Sequence, residues 1–243
     1  MSLQILLNGY KGRMGRAIMD EAVHHEVQIT GKTDIGDDLT SEITNCDVAV
    51  DFSFHEATRS LAELAVAHGK SLVIGTTGHS EEDRTAITQL ASQIPIVWAG
   101  NFSIGVNLLF YLTSKAASIL SPDYNPEIVE MHHCLKKDAP SGTASRLAEI
   151  IRQARQLTPN HERHGRKGIT GERPREEIGI HALRGGEVVG DHTVIFAGPG
   201  ERLELSHKAA DRRIFAQGAL KAAKWVSMQA PGLYSMQDYL GLT

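Results

Sequence analysis

The chain has 243 residues, 41% hydrophobic and 22% charged, long enough for one large domain or two modest ones with a substantial core. A formal net charge of −4 argues against a surface built for non-specific nucleic-acid binding, and no apolar run approaches the roughly 18 residues that a membrane-spanning helix needs. Cys46 and Cys134 are too few and too far apart for a disulfide framework, so the composition points to a reducing, cytoplasmic setting and to small-molecule chemistry.

The start of the chain carries no basic leader region and runs directly into a strand and a glycine turn. Residues 3–7 form a short apolar run of the kind buried in a parallel sheet. Gly9-Tyr10-Lys11-Gly12-Arg13-Met14-Gly15 follows, then a helix carrying Met14, Ala17, Ile18 and Ala22. Strand, glycine turn and helix form the unit that cradles pyrophosphate: glycines permit the tight turn and the close backbone approach, and the helix start stabilises negative charge. The spacing here is Gly-x-x-Gly-x-x-Gly, with Lys11 where the strict fingerprint has its second glycine, so the pattern alone is weak and its context carries it. Residues 27–30 read as the second strand, and Asp34, 19 positions after Gly15, stands where an acid binds an adenosine ribose. An acid there favours NADH, Lys11 and Lys32 suit the extra phosphate of NADPH, and either cofactor is expected to be accepted. The plainer alternative makes Asp34 a turn residue of Thr33-Asp34-Ile35-Gly36.

The alternation continues with a strand at 47–53, a helix near 58–68 and a strand at 71–74. Gly75-Thr76-Thr77-Gly78 then precedes a helix opened by Ser80 and Asp83 in capping-box spacing. A strand at 94–98 ends in Ala99-Gly100-Asn101-Phe102-Ser103. In a doubly wound sheet ligands bind beyond the carboxyl ends of the strands, so these turns are expected to gather on one edge as a nucleotide site.

A long apolar helix with Val106, Leu109, Phe110, Leu112, Ala116 and Ile119 ends the alternation. The division expected is a Rossmann-like dinucleotide-binding domain at 1–103, completed by the C-terminal segment 213–243, and a second α+β domain at 104–212 for substrate binding and oligomerisation. In that second domain, residues 158–177 read as a surface loop with solvated arginines. Runs at 178–184, 188–197 and 202–207, separated by Gly185-Gly186 and Gly198-Pro199-Gly200, read as antiparallel neighbours in a small mixed sheet. A helix near 215–228 closes the chain.

The chemistry concentrates in Glu130-Met131-His132-His133-Cys134-Leu135-Lys136-Lys137-Asp138-Ala139-Pro140-Ser141-Gly142-Thr143-Ala144, at a strand-to-helix turn. The first amides of a helix favour anions, and Ser141, Gly142 and Thr143 place a flexible backbone and two hydroxyls there. Lys136 adds a cation, and His132 and His133 have side chains that exchange protons near neutrality. Taken singly, each of these residues reads as packing or capping; their convergence within twelve positions describes a site for an anionic substrate that needs a proton. A zinc site is the weaker reading, because His-His lacks ligand spacing and Cys134 has no second cysteine nearby.

This stretch closely resembles the signature of the 4-hydroxy-tetrahydrodipicolinate reductase family. The likeness extends over nearly the whole chain through Gly12-Arg13-Met14-Gly15, Asp51-Phe52-Ser53, Gly75-Thr76-Thr77-Gly78, Asn101-Phe102-Ser103, Gly171-Glu172-Arg173, Gly200-Glu201-Arg202-Leu203-Glu204 and His207-Lys208-Ala209. The resemblance implies a homotetrameric enzyme of lysine and diaminopimelate synthesis, in which NADPH or NADH reduces a cyclic imine dicarboxylate. It implies His132 as proton donor or acceptor and Lys136 as second proton donor; on the chemistry of the residues themselves, an acid with a pKa near neutrality, positioned by Lys136, lowers the barrier to protonation. His133 would bind substrate, and Gly142 and Thr143 would hold a substrate carboxylate. It assigns cofactor contacts to Gly9, Tyr10, Lys11, Gly12, Arg13, Met14, Asp34, Gly75, Thr76, Thr77, Ala99, Gly100, Asn101 and Phe102. Departures are Lys11 for a frequent glycine, Ile35 where some relatives carry arginine, Gly100 for alanine or proline, and a short segment between Asp34 and Asp47; the nucleotide preference stays open.

Two rivals remain on the sequence. A different two-domain dehydrogenase, such as a semialdehyde dehydrogenase, would need a cysteine nucleophile, and Cys134 has no histidine arranged for it. A nucleotide-sensing regulator without catalysis is disfavoured by His132, Lys136 and the Ser-Gly-Thr turn occurring together.

Overall fold

The computed structural model describes residues 2–242. Two compact units emerge, one running through Ile104 and resuming from Arg212, the other Gly105–Asp211.

In chain order the first unit contains β1 (Leu3–Asn8), α1 (Arg13–Ala22), β2 (Val27–Thr33), α2 (Leu39–Ile43), β3 (Val48–Asp51), α3 (His55–Ala67), β4 (Ser71–Ile74), α4 (Glu81–Leu90) and β5 (Pro95–Trp98). It is completed by α7 (Arg213–Val226), β11 (Gly232–Tyr234) and α8 (Met236–Tyr239). All six strands are parallel, in the order β11-β5-β4-β3-β1-β2. The inner strands β1, β3, β4 and β5 are short and mostly apolar because both faces are covered, whereas the edge strand β2 carries Gln28, Thr30 and Lys32. Ile5, Leu7, Val50, Val73 and Val97 turn toward Ile18 of α1 and Ala219, Leu220 and Ala223 of α7. Leu6, Ala49, Leu72, Ile74 and Ile96 turn the other way, toward Leu61 and Ala65 of α3 and Ile87 of α4. Each large aliphatic side chain so enclosed contributes about 1.5–3 kcal/mol. The doubly wound parallel sheet expected from the alternation is present, with its order reversing between β1 and β3. The three-residue strand β11, too short for any periodicity, went unread in the sequence.

The second unit is built from α5 (Ile104–Ile119), β6 (Asn125–His132), α6 (Gly142–Arg155), β7 (Glu162–His164), β8 (Ile178–Arg184), β9 (Gly190–Gly198) and β10 (Glu201–Ala209). Its mixed sheet runs β10-β9-β6-β8-β7. Ile128, Ile180, Val194 and Phe196 pack with Leu147 and Ile151 of α6 and with Val106, Leu109 and Phe110 of α5.

Two expectations are corrected here. β9 and β10 are the antiparallel pair foreseen across Gly198-Pro199-Gly200, but β8 and β9 are not neighbours: β6 lies between them, parallel to β8 and antiparallel to β9. Gly185-Gly186 is a wide connection, with Gly185 N–H donating to the His132 carbonyl and Cys134 N–H to that of Gly186. Nor is segment 158–177 a loop of solvated arginines. It contains β7, and Arg166 forks onto Glu127 and Glu177 while Arg173 bonds Glu127, Asn125 and the carbonyls of Pro126 and Glu177. Burial would raise the Glu127 carboxyl, but Arg166, His181 and Arg173 outweigh it and hold the group at about 2.

Candidate active site

The carboxyl edge of the first sheet is shaped by close backbone approach. β1 ends at Asn8, and Gly9 takes φ +86°, with its amide donating to the Thr33 carbonyl at 2.8 Å. A Cβ on Gly9 would lie 2.3 Å from the Phe52 carbonyl oxygen, and one on Gly15 would lie 2.3 Å from the Gly9 oxygen, so only glycine fits either place. Gly12 caps α1 without any side chain, leaving the first-turn amides around Arg13 and Met14 to an outside acceptor. Tyr10 and Met14 pack on the core beneath, and the Lys11 ammonium stands 5.3 Å from the centre of the Tyr10 ring.

Asp34 follows β2 directly and reaches the same loop: its carboxylate accepts from the amides of Lys11 at 3.0 Å and Ile35 at 2.9 Å. Those amides, the Ile35 one foremost, hold its carboxyl below the ordinary aspartate value. A Cβ on Gly75 would meet the Phe52 ring at 2.2 Å, so the ring would have to move to admit one. Phe52 in turn packs at a tilt against buried Phe102, with ring centroids 5.5 Å apart. Ala99 donates its amide to the Ile74 carbonyl, Asn101 accepts from Ser103 N–H at 2.8 Å, and Gly100 and Thr77 are exposed. The glycine loop, Asp34, the Gly75-Thr76-Thr77 turn and the Ala99-to-Phe102 turn thus all follow carboxyl ends of strands in one sheet.

A residue quoted in the sequence only within a motif ties these turns together. Asp51 is fully buried at the end of β3 and accepts from Asn8 Nδ2, Ser53 Oγ, Thr58 Oγ1 and Thr76 Oγ1 at 2.5–2.9 Å. The ends of β1 and β3, the start of α3 and the turn after β4 are therefore fixed to one carboxylate.

In the second unit the central stretch folds as a strand end, a turn and a helix start. Alternation along β6 turns Ile128 and Glu130 into the unit, and Glu130 is fully buried. His132 Nδ1 lies 2.6 Å from Glu130 Oε2. Arg184 forks onto both Glu130 oxygens at 2.9 Å, and the Ser141 amide donates to Oε1 at 3.1 Å. Burial would raise the Glu130 carboxyl, yet Arg184, His132 and the Ser141 amide outweigh it and keep the group below the usual glutamate value. His192 approaches from β9, its ring edge-on to His132 with centroids 5.2 Å apart and its Nε2 2.9 Å from Ser141 Oγ. Burial first, then the neighbouring His132, pushes its imidazole down to about 4, so it is neutral at physiological pH.

Ser141 caps α6, its hydroxyl accepting the Ala144 amide at 3.2 Å. Gly142 and Thr143 open the helix in front of that cap, and a Cβ on Gly142 would meet open space. His133 follows the strand end, its amide donating to the Val188 carbonyl at 2.8 Å. Lys136 stands one short turn on, its ammonium 2.8 and 2.9 Å from the two Asp138 oxygens.

The idea that Lys136 positions His132 is thereby corrected: the hydrogen-bonded partner of the imidazole is Glu130, and the lysine is held by Asp138. Glu130, Arg184 and His192 were the functional neighbours missed in the sequence. A usable signal existed for two of them, since Glu130 and His192 are polar residues at inward positions of strands otherwise turning Ile128, Val194 and Phe196 to the core. Arg184 gave none.

Among the described residues, no helix is long and apolar enough to cross a membrane. Residues 3–102 match the family model described as dihydrodipicolinate reductase, N-terminus, and residues 105–240 match the one described as dihydrodipicolinate reductase, C-terminus. The 4-hydroxy-tetrahydrodipicolinate reductase of Akkermansia muciniphila is 53% identical over 245 positions, covering 99% of each chain. That of Hahella chejuensis is 41% identical, covering 98% of this chain and 99% of its own. Among solved structures, the dipicolinate-bound dihydrodipicolinate reductase of Paenisporosarcina sp. TG-14 is similar with a TM-score of 0.79 and 27% identity, over 99% of this chain and 100% of that one.

Proposed function

The chain belongs to the dihydrodipicolinate reductase family, and from that premise we propose that it reduces 4-hydroxy-tetrahydrodipicolinate to tetrahydrodipicolinate with NADH or NADPH, in the diaminopimelate route to lysine. The first unit is its dinucleotide-binding part. Its residues fit such a cofactor, because Gly9 and Gly15 let the loop fold tightly against Phe52 and against itself, and α1 opens without a side-chain cap. Gly9 to Met14 would hold the pyrophosphate there, Asp34 would accept from a ribose hydroxyl, and the turns at Gly75 to Thr77 and Ala99 to Phe102 would complete the contacts. When bound, the nicotinamide supplies hydride.

The second unit binds the cyclic diacid. The Gly142 and Thr143 amides and the His133 side chain take a substrate carboxylate, and Lys136 sets a cation beside it and serves as the second proton donor for the reacting ring. The 4-hydroxyl must leave as water, and hydride addition to the resulting unsaturated ring leaves a carbanion or enamine that gains one proton, which His132 gives. The observation carrying this reading is the 2.6 Å contact between His132 and buried Glu130 beside the start of α6, which sets an oriented imidazole next to an anion-binding helix end.

The reading extends to a cytoplasmic homotetramer joined through the second unit's sheet. Unpaired Cys46 and Cys134 support the first part. The sheet face opposite α6 carries Val129, Met131, Ile195 and Leu183, the last 48% exposed, which supports the second.

The test is a coupled assay following NAD(P)H oxidation with freshly made synthase product. His132→Ala and Lys136→Ala are each expected to lower kcat by about 10²–10⁴-fold, with NADH affinity nearly unchanged because both residues belong to the other unit. Wild-type rates in both variants would remove these roles.

A further inference from the structure

We propose that Glu130 is the positioning residue of this reaction: by accepting the Nδ1 proton of His132 it holds the imidazole in the one tautomer that presents Nε2 as the proton-exchanging atom. The proposal rests on the role given to His132 above and names what makes that role possible.

Every acceptor position of the Glu130 carboxylate is filled. Oε1 takes Arg184 Nη2 at 2.9 Å and the Ser141 amide at 3.1 Å; Oε2 takes Arg184 Nη1 at 2.9 Å and His132 Nδ1 at 2.6 Å. Three of these four partners are donors that cannot reverse, two on a guanidinium and one on the backbone. Arg184 is itself pinned, giving further hydrogen bonds to the carbonyls of Leu183 and Asp138. The carboxylate therefore has one orientation and, being ionised, can only accept. His132 Nδ1 must carry hydrogen whether the ring is neutral or charged, so in the neutral ring the lone pair is on Nε2. A Cβ on Gly190 would come within 3.0 Å of Nε2, so glycine at that position keeps a methyl group from crowding the ring's outer nitrogen. The buried carboxylate, the imidazole and the free outer nitrogen repeat the division of labour in which an acid orients a histidine without itself exchanging the proton.

Glu130→Gln tests this sharply because its amide must choose an orientation. At the Oε1 position the NH₂ would face two fixed donors; at the Oε2 position it faces one fixed donor and the only partner able to switch. The NH₂ therefore turns to His132, which becomes an acceptor at Nδ1 and carries its proton on Nε2. Long-range ¹H–¹⁵N spectra of histidine-labelled protein, with the His132 signals identified by their loss in His132→Asn, should show the Nδ1-H tautomer in wild type and the Nε2-H tautomer in the variant. Turnover should fall by about 10²–10⁴-fold, with KM for the diacid within about threefold and a wild-type far-ultraviolet spectrum. A changed rate with an unchanged tautomer, or a changed tautomer with an unchanged rate, overturns the proposal.

If Glu130→Gln does not fold, Glu130→Asp keeps the charge opposite Arg184 while drawing the carboxylate back by one methylene. A partial loss of turnover with a mixed tautomer population then supports the proposal, and a single wild-type tautomer at reduced rate overturns it. A wild-type protein that fails to reduce the diacid sinks the functional reading alone, since the spectra still decide whether Glu130 sets the ring.

Discussion

The edge of the first sheet and the central turn of the second unit are made from different materials. The first is backbone that approaches its neighbours closely where side chains are missing: Gly9, Gly15 and Gly75 each stand where a Cβ would collide at 2.2–2.3 Å. The second is side chains held together by buried charge, with Glu130, Arg184 and His132 in one cluster and Glu127, Arg166, Arg173 and Glu177 in another. Backbone offers the same amides to any phosphate, which suits a cofactor shared among many enzymes. Proton transfer needs one nitrogen in one tautomer, and only a tertiary environment supplies that. The first region is thus expected to fail when side-chain volume is added, and the second when ionisation is changed.

The largest expected difference appears on acidification. Glu127 is held at about 2 against an ordinary 4.5, and Glu130 and Glu177 are lowered as well. A carboxyl whose folded pKa is depressed stabilises fully above its unfolded value, and that contribution is lost as pH falls from 4.5 toward about 2. For Glu127 alone the linkage is at most about 3 kcal/mol, reduced by solvent screening at its exposed edge, and the other two act in the same direction. Both tryptophans, Trp98 and Trp225, lie in the first unit. Far-ultraviolet ellipticity should therefore begin to fall at a higher pH than tryptophan emission shifts; coincident transitions would break the comparison.

A smaller effect tests the first region by volume. Gly15→Ala is expected to cost about 1–3 kcal/mol in chemical denaturation, because the new Cβ meets backbone at 2.3 and 2.5 Å, and to weaken NADH binding with it. Gly142→Ala, whose Cβ would meet open space, is the matched control and should leave stability almost unchanged. Equal costs at the two positions would show that close approach is not what selects glycine.

The smallest effect concerns nucleotide choice. Asp34→Ala should weaken NADH by roughly tenfold, the loss expected for one or two hydrogen bonds to a carboxylate, and NADPH by less, as measured by fluorescence titration of each. Equal losses would leave Asp34 as a residue that shapes the loop through the Lys11 amide and does not read the ribose.

Much of this molecule was legible in residue order. Apolar runs separated by glycine turns announce strands covered on both faces, and the parallel sheet follows from their alternation with helices. The positive φ of Gly9 and the approach of Gly15 to Gly9 and Tyr10 are demands set within a few residues, so both glycines could be read locally, whereas the approach of Gly9 to Phe52 could not. The Ser141 cap and the helix start behind it were equally local. What remained hidden depends on residues distant in the chain. Nothing around Arg184 says that it will fork onto Glu130, 54 positions earlier, or that arginines 166 and 173 will pair with Glu127. Gly185-Gly186 looks like a hairpin until β6 is found lying between its flanking strands.

Local conformation is governed by sterics and hydrogen bonds within a few residues, which the order of amino acids determines by itself. The partner of a buried charge is decided only when strands pair, because desolvation makes an unpaired ion costly and the register settles which opposite charge stands within reach.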